Sequence, residues 1–340
     1  MMRNPGDVMM EIRGRQRVKP RPPTELVGFW KGEELLDGKP VRSNTLVFRT
    51  KGCYWAQRGG CTMCGYTYDA AITPPTADDL IAQYRSVEEQ IDGSVIKLFT
   101  SGSFLDKSEM PERARDEVLS SLSKKARKVI VETRPEFVTD RTLEEARRHV
   151  ERLEVAIGLE TSNDKVRIKC INKNFLFQDF VKASETARRH GVTTKAYLLL
   201  KPPFIGEKDA LEDMVKSVLD AAPYAGTISI NLCNVQRGTI VDELFRKKAY
   251  RPPWLWTIVE VIRRVHGKTG AVIMSDPLAA GSPRGPHNCY RCDHAFADAI
   301  RKYSITQDAS VFDSLECECR LAWEKVLGLE DWAFGAPLVY

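Results

Sequence analysis

No apolar run in this 340-residue sequence reaches the about eighteen residues that a membrane-crossing helix needs. The opening stretch MMRNPGDVMMEIRGRQR carries charges but no hydrophobic segment of the secretory kind. These two absences predict a cytoplasmic protein with no membrane partner, in a compartment that keeps thiols reduced. Charge of one sign does not dominate either. Lys and Arg number 51 against 46 Asp and Glu, a formal +5. That mild excess is compatible with an RNA or phosphate-bearing partner without demanding one. A fourth cysteine is also missing where it would be expected. RTKGCYWAQRGGCTMCGYTYDA (49–70) holds Cys53, Cys61 and Cys64 and no further thiol nearby. A closed zinc site takes four ligands and a disulfide two, so three thiols in one loop fit neither.

What is present is a regular alternation. Residues 1–23 are polar and proline-rich and read as a poorly ordered arm within a lead-in over 1–44. From about 45, short β-branched or apolar runs are separated by longer segments with apolar residues at three- and four-residue spacing. The strand candidates are TLVFRT (45–50), VIKLFTS (95–101), KVIVET (128–133), LEVAIGLE (153–160), TTKAYLLL (193–200), TISINLC (227–233) and GAVIMSD (270–276). Such repetition predicts an α/β fold, a full or partial (β/α) parallel barrel over 45–277. Barrel chemistry sits at the carboxyl ends of strands, where CYWAQRGGCTMC, TSGSFLD, TRPEF, GLETSND, LKPPF and CNVQRGT all fall. Beyond 277 the pattern dissolves, and 278–340 reads as a small Cys-rich extension. Basic runs at 13–23, 124–128, 188–190 and 245–251 are solvated helix faces or phosphate contacts.

Nine cysteines are more than packing requires, and seven of them fall into two clusters. Cys170 and Cys233 stand alone and read as small buried hydrophobes. Thiolates are the usual ligands of iron–sulfur clusters. Three of them on a four-iron cluster leave one iron open, as a catalytic centre requires. The loop's glycines let its backbone wrap closely around a bulky group. A zinc knuckle with an unseen fourth ligand is the competing reading.

A three-cysteine loop after the first strand of such a barrel resembles the cluster loop of the radical S-adenosylmethionine (SAM) superfamily. That resemblance implies a 4Fe–4S cluster on Cys53, Cys61 and Cys64, with SAM chelated at the open iron. An electron donor would drive reductive SAM cleavage to a hydrogen-abstracting 5′-deoxyadenosyl radical. The sequence departs from the commonest pattern. Seven residues separate the first two cysteines, and Met63 stands where an aromatic is usual. The longer spacing is similar to the branch of the elongator catalytic subunit. The same resemblance implies that Ser101, Gly102 and Ser103 receive the SAM amino group, and that Glu132 and Arg134 belong to an E-x-R-P-[DE] stretch facing the mouth. A surface ion pair is the alternative for that last pair. Glu160 and Ser162 take the position of a ribose contact. Lys195, with Lys201, Gln236 and Arg237, could meet SAM's carboxylate or the substrate.

Taken over its whole length, including GCYWAQRGGCTMCGY, FTSGSFLD, VETRPEF and the Cys-bearing tail, the sequence resembles the archaeal radical SAM family of archaeosine biosynthesis, RaSEA. The resemblance implies a C–N lyase acting on tRNA with the lysine-transferring protein ArcS. ArcS attaches lysine to the deazaguanine base at position 15, and the radical enzyme cleaves the adduct. The rivals are a methylthiolase or carboxymethylase acting on tRNA, and a non-catalytic zinc- and RNA-binding protein. The first usually needs a further domain, for which the roughly sixty residues after the barrel are too few. Finally, HNCYRCDH and LECECR place Cys289, Cys292, Cys317 and Cys319 as two close pairs across a 24-residue gap. This spacing predicts a closed zinc site, with an auxiliary iron–sulfur cluster as competitor. His287 or His294 could replace a cysteine, though solvent-exposed roles are expected of them.

Overall fold

β-branched and apolar runs bounded by polar turns pair side by side because each can bury both faces between a barrel interior and a helical layer. A computed structural model, describing residues 4–16 and 20–330, shows one eight-stranded mixed sheet whose strands lie in chain order. β1 (Gly28–Leu36) and β2 (Lys39–Val47) form an antiparallel hairpin. Its turn, Asp37–Gly38, has both residues at positive φ, as a tight two-residue connection requires. Then β3 (Val95–Phe99), β4 (Lys128–Thr133), β5 (Leu153–Glu160), β6 (Thr193–Leu200), β7 (Thr227–Leu232) and β8 (Val272–Met274) add in parallel to β2. Among the described residues no pairing joins β8 to β1, so the barrel is partial.

Six of the expected strands match closely. The first begins earlier than expected, at Lys39, and the chain leaves it at Val47. β1 falls within the expected lead-in, because GFWKGEELL alternates too weakly to declare a strand by itself.

Helices α2 (Ala77–Arg85), α3 (Glu112–Leu122), α4 (Asp140–Arg147), α6 (Phe177–Arg189), α7 (Glu207–Ala221) and α9 (Leu255–Val265) cover the outer face. Between β5 and α6 lie the short α5 (Asp164–Val166) and a π turn (Arg167–Ile171). Outward side chains such as Leu98, Val131, Val155, Leu198 and Ile230 join the main core with those helices. Inward side chains are different. Leu36, Val95, Ile130 and Ala156 make a small apolar floor. Beside it, buried Glu34 accepts hydrogen bonds from Lys97 (3.0 Å) and Lys195 (3.2 Å). Burial pulls the Glu34 carboxyl up, but the Lys195 and Lys97 charges outweigh it and hold the group below its ordinary range.

The extension is not a separate appendage. Phe296, Ile300 and Tyr303 of α10 (Asp293–Thr306) and Trp323 of α11 (Cys319–Glu330) belong to the main core. Trp254 and Trp256, in the stretch RPPWLWT (251–257), are buried as well. The amino-terminal arm also differs from expectation. Pro5–Gly14 forms α1, with Asn4 as N-cap and Pro5 at the first turn. Met9 and Ile12 are buried against Ile240 of α8 (Ile240–Arg246). Residues 17–19 of the first basic run and 331–340 of the extension lie outside the described residues. No helix among the described residues is long and apolar enough to cross a membrane.

Candidate metal centre

The cysteine loop is held from several directions, each through backbone groups that a loop cannot satisfy by itself. Arg13 of α1 donates to the carbonyls of Ala56 (2.6 Å), Gly59 (2.5 Å) and Cys64 (3.2 Å). The π turn after β5 takes the other side. Thr62 N–H donates to Ile171 O (2.9 Å), its hydroxyl to Cys170 O (2.7 Å), and the Asn172 amide to Gly60 O (2.8 Å). From α8, Ile240 N–H reaches Thr62 O at 3.0 Å. After β7, Gln236 accepts from Gly65 N–H. Gly59 (φ 101°) lies so close to α1 that a Cβ there would fall 2.6 Å from the Gly6 Cα. None of these partners is near the loop in sequence, and the basic run 13–23 marks Arg13 only as a solvated face or a phosphate contact, not as a clamp on this loop.

Strand ends complete the site. In the β3 loop, a Cβ on Gly102 would sit 2.8 Å from the Cys53 Cα. Glu109, buried, organises this loop: its carboxylate accepts from Thr50 Oγ1 (2.7 Å), Gly102 N–H (3.0 Å) and Ser103 N–H (2.7 Å). Ser103 is buried and its hydroxyl accepts from Arg134 N–H at 2.9 Å. Ser101 is more open, its hydroxyl 3.4 Å from Tyr66 O. Arg134 donates to Glu136 (2.6 Å) and to Asn174, and lies over the Tyr54 ring at 5.2 Å. Tyr54, next to Cys53, donates to the same Glu136 oxygen at 2.6 Å.

β5 bulges between Gly158 and Glu160, and Glu160 takes φ 68°, aiming its carboxylate at Lys173 Nζ, 2.6 Å away. Nothing in the sequence marks Lys173, a lone lysine in INKN. Glu132 has no hydrogen-bond partner for its carboxylate among the described residues. Burial pushes its carboxyl up to about 8, against the pull of Lys173 and with help from Glu109 and Glu160. Tyr66, exposed on its outer side, has its hydroxyl near enough to Cys64, Glu132 and Glu160 to feel their charges. Glu132, Glu160, Lys173 and Tyr66 therefore gather beside the cysteines. Two expected residues do not join them. Ser162 is turned onto α7, bonded to Ser217 and to Asp220 (2.6 Å). Lys195 lies deep inside with Glu34.

Burial pushes the Cys61 thiol up, Lys173 opposing, and pushes Cys64 up to about 12, with Cys61 adding to it. Half-buried thiols sharing one loop resist ionising until a metal supplies the counter-charge, which deprotonates ligating thiols outright. The donor set, its glycine cradle and its position at the strand ends fit an iron–sulfur cluster held by three ligands.

The second cluster is geometrically closed. All four sulfurs of Cys289, Cys292, Cys317 and Cys319 lie within 4.8 Å of one another. Neighbouring pairs stand at 3.7 Å (289–292), 3.6 Å (289–317) and 3.7 Å (292–319). A tetrahedral ion with metal–sulfur bonds of about 2.3 Å spaces its sulfurs about 3.8 Å apart. A four-iron cube, giving each corner its own thiolate, spreads them wider. Trp256 Nε1–H (3.3 Å to Cys319) and Asn288 Nδ2–H (3.5 Å to Cys292) support the sulfurs from behind. Burial pulls Cys289 up, but backbone N–H groups of Arg291 and Cys292 and its thiol neighbours bring it down to about 6. His287, contrary to its expected exposure, is buried, bonded to Gly285 O and stacked on Tyr290; His294 is exposed. The four sulfurs complete a tetrahedral set without either histidine.

Residues 47–217 match the profile of the Radical SAM superfamily. An archaeosine synthase subunit beta from Methanosarcina acetivorans is 47% identical over 97% of this chain and 98% of its own length. Another from Thermococcus kodakarensis is 40% identical over 89% of this chain and 98% of its own. A solved Elp3 from Methanocaldococcus infernus is 14% identical, covering 62% of this chain and 55% of its own, with a TM-score of 0.46. The chain belongs to the radical SAM superfamily and, within it, to the family of archaeosine synthase beta subunits.

Proposed function

We propose that this chain is the lyase of archaeosine formation: with ArcS it releases the lysine carbon from the nitrogen of the deazaguanine adduct at tRNA position 15, leaving the formamidine. The observation carrying this reading is the 47% identity to an archaeosine synthase beta subunit over almost the entire length of both chains. The cluster and SAM, when bound, supply homolytic hydrogen abstraction, which makes an otherwise unactivated C–N bond breakable. The protein's part is aim and exclusion. Cys53, Cys61 and Cys64 would hold the iron. Gly102 lets the β3 loop close on Cys53. The Glu160–Lys173 pair and the unpaired Glu132 offer charged and hydrogen-bonding groups to SAM's amino, carboxylate and ribose groups or to the adduct's lysine moiety.

At the other cysteine set the reading is a single structural zinc, supported by sulfur spacings near those of a tetrahedral ion. The test is direct. Anaerobically reconstituted protein, with SAM, a chemical reductant as electron donor and ArcS, should convert lysine-adduct tRNA to archaeosine tRNA, read by nucleoside mass spectrometry. Formation of deoxyadenosine with the adduct untouched would reject the substrate. Failure to bind iron through the three cysteines would reject the chemistry.

A further inference from the structure

The exposed cations divide between the two ends of the barrel. Lys124–Arg127 and Arg188–His190 precede β4 and β6, and Lys128 opens β4, so they lie at the amino ends of the strands, opposite the cysteine loop. Many of the cations at that end are matched: Lys125 with Glu88, Arg127 and Arg152 with Asp37, Lys128 with Glu154, Arg264 with Glu212 and Glu260. Exposed Lys124, Arg148, Arg188 and Lys268 there have no acidic partner among the described residues. Their placement also follows from helix ends, where cations complement exposed carbonyls.

A second group surrounds the cysteine loop. Arg58 is in the loop, Lys165 and Lys169 are on α5 and the π turn, Arg237 follows β7, and Lys247 and Lys248 follow α8. All six are exposed, and among the described residues none has an acidic partner. Their elements are bonded to one another through the loop itself, by Thr62 to Ile171, Ile240 to Thr62 and Gly65 to Gln236. Several acids on the same elements are tied up: Asp164 by Arg167, Asp242 by Arg246 and Arg284, Glu243 by Arg246. Exposed Ile168 and Tyr66 offer apolar surface on the same elements.

We propose that this rim, and not the sequence clusters at 124–128 and 188–190, is the docking surface for the phosphate backbone of a structured RNA. The proposal rests on the tRNA reading above and supplies its missing geometry. Folded RNA presents a dense row of phosphates, and neutralising them releases condensed counterions. Lysines and arginines ringing the entrance gain that term while setting a nucleotide over the site; those at the far end, matched or not, would hold the RNA away from it. An acidic protein face is the other partner such charges could take, and the test separates it.

The experiment compares tRNA binding by the full chain, using fluorescence anisotropy across a salt series. One variant carries Lys165→Glu, Lys169→Glu, Lys247→Glu and Lys248→Glu. The other carries Lys124→Glu, Arg148→Glu, Arg188→Glu and Lys268→Glu at the far end. The rim variant should bind at least tenfold more weakly, its salt slope falling by roughly one for each phosphate no longer neutralised. The far-end variant should bind as the unaltered chain does. Circular dichroism and iron content, unchanged in both, exclude misfolding. Full affinity in the rim variant, or an equal loss in the far-end variant, overturns the surface while leaving the tRNA reading intact. Failure of the unaltered chain to bind tRNA at low salt overturns that reading itself and the surface with it.

Discussion

Gly102 has no side chain because Cys53 and Glu109 leave no room for one. A Cβ would stand 2.5 Å from a Glu109 carboxylate oxygen, which can swing away, and 2.8 Å from the Cys53 Cα, which is fixed in backbone. Gly102→Ala should therefore displace Cys53 rather than unfold the barrel. Iron per chain after anaerobic reconstitution should fall severalfold while the far-ultraviolet dichroism stays the same; normal iron content would show that the contact yields freely. Glu109 explains why the neighbouring backbone is so firmly set. It satisfies the Gly102 and Ser103 amides and the Thr50 hydroxyl from a buried position, where each donor left unpaired costs about 1–3 kcal/mol. Of this set, only the small and polar residues of FTSGSFLD were legible in sequence. Glu109 reaches back over several residues through a loop that has no period, and no pattern announces it.

Among the elements, α1 changes the meaning of its segment. A polar, proline-bearing stretch becomes a helix because Asn4 caps it, Pro5 fits its first turn, and Met9 and Ile12 find Ile240. Its consequence for the site runs through Arg13, whose guanidinium ties Ala56, Gly59 and Cys64. Hydrogen bonds from a charged donor contribute about 1.5–3 kcal/mol each, and these act locally on the loop. Arg13→Ala should raise amide exchange across 53–65 by tenfold or more and shorten the lifetime of the cluster in air. Arg13→Lys, a point charge without the fork, should restore only part of the protection. Unchanged exchange in the alanine variant would make α1 a bystander. The π turn at Arg167–Ile171 plays the matching role from β5, and irregular helical turns of this kind recur at functional sites.

For the whole molecule, the tail and the barrel are one core. Trp256 of α9 touches Phe296 (4.5 Å) and Trp323 (6.2 Å) of the tail and donates to Cys319. A metal held there clamps the last helices onto the barrel, so its removal should be felt globally. Stripping the ion with a chelator, or replacing Cys289 and Cys292 by serine, should lower the melting temperature by about 5–10 °C, the scale expected when several kcal/mol of metal binding are lost from a large domain. Metal analysis should show one zinc leaving per chain. An unchanged melting temperature, or iron in place of zinc, would contradict a structural zinc.

The strand–helix alternation is readable because it is local. Each element's period is carried by its own residues, and six strands lie within a few positions of where the sequence puts them. The weak alternation of β1 and the helix in the polar arm are not readable, since both owe their existence to partners elsewhere in the chain. At the site the cysteines are plain from type and spacing alone. Ser162 and Lys195 follow from the family resemblance laid over the strands, which gives a position along the chain and no direction for the side chain. The structure turns the first onto α7 and the second onto Glu34.

By itself, then, the sequence determined which atoms could ligate metal and the order of strands that carries them, because ligand type and hydrophobic period are written residue by residue. Folding alone decided that Arg13, Glu109 and Lys173 stand around those ligands, that four distant sulfurs close to within 4.8 Å, and that Lys165, Lys169, Arg237, Lys247 and Lys248 sit on elements bonded to the cysteine loop. Those are relations across dozens to hundreds of residues, set by packing and by the need to satisfy buried polar groups, and they leave no trace in any local window of the chain.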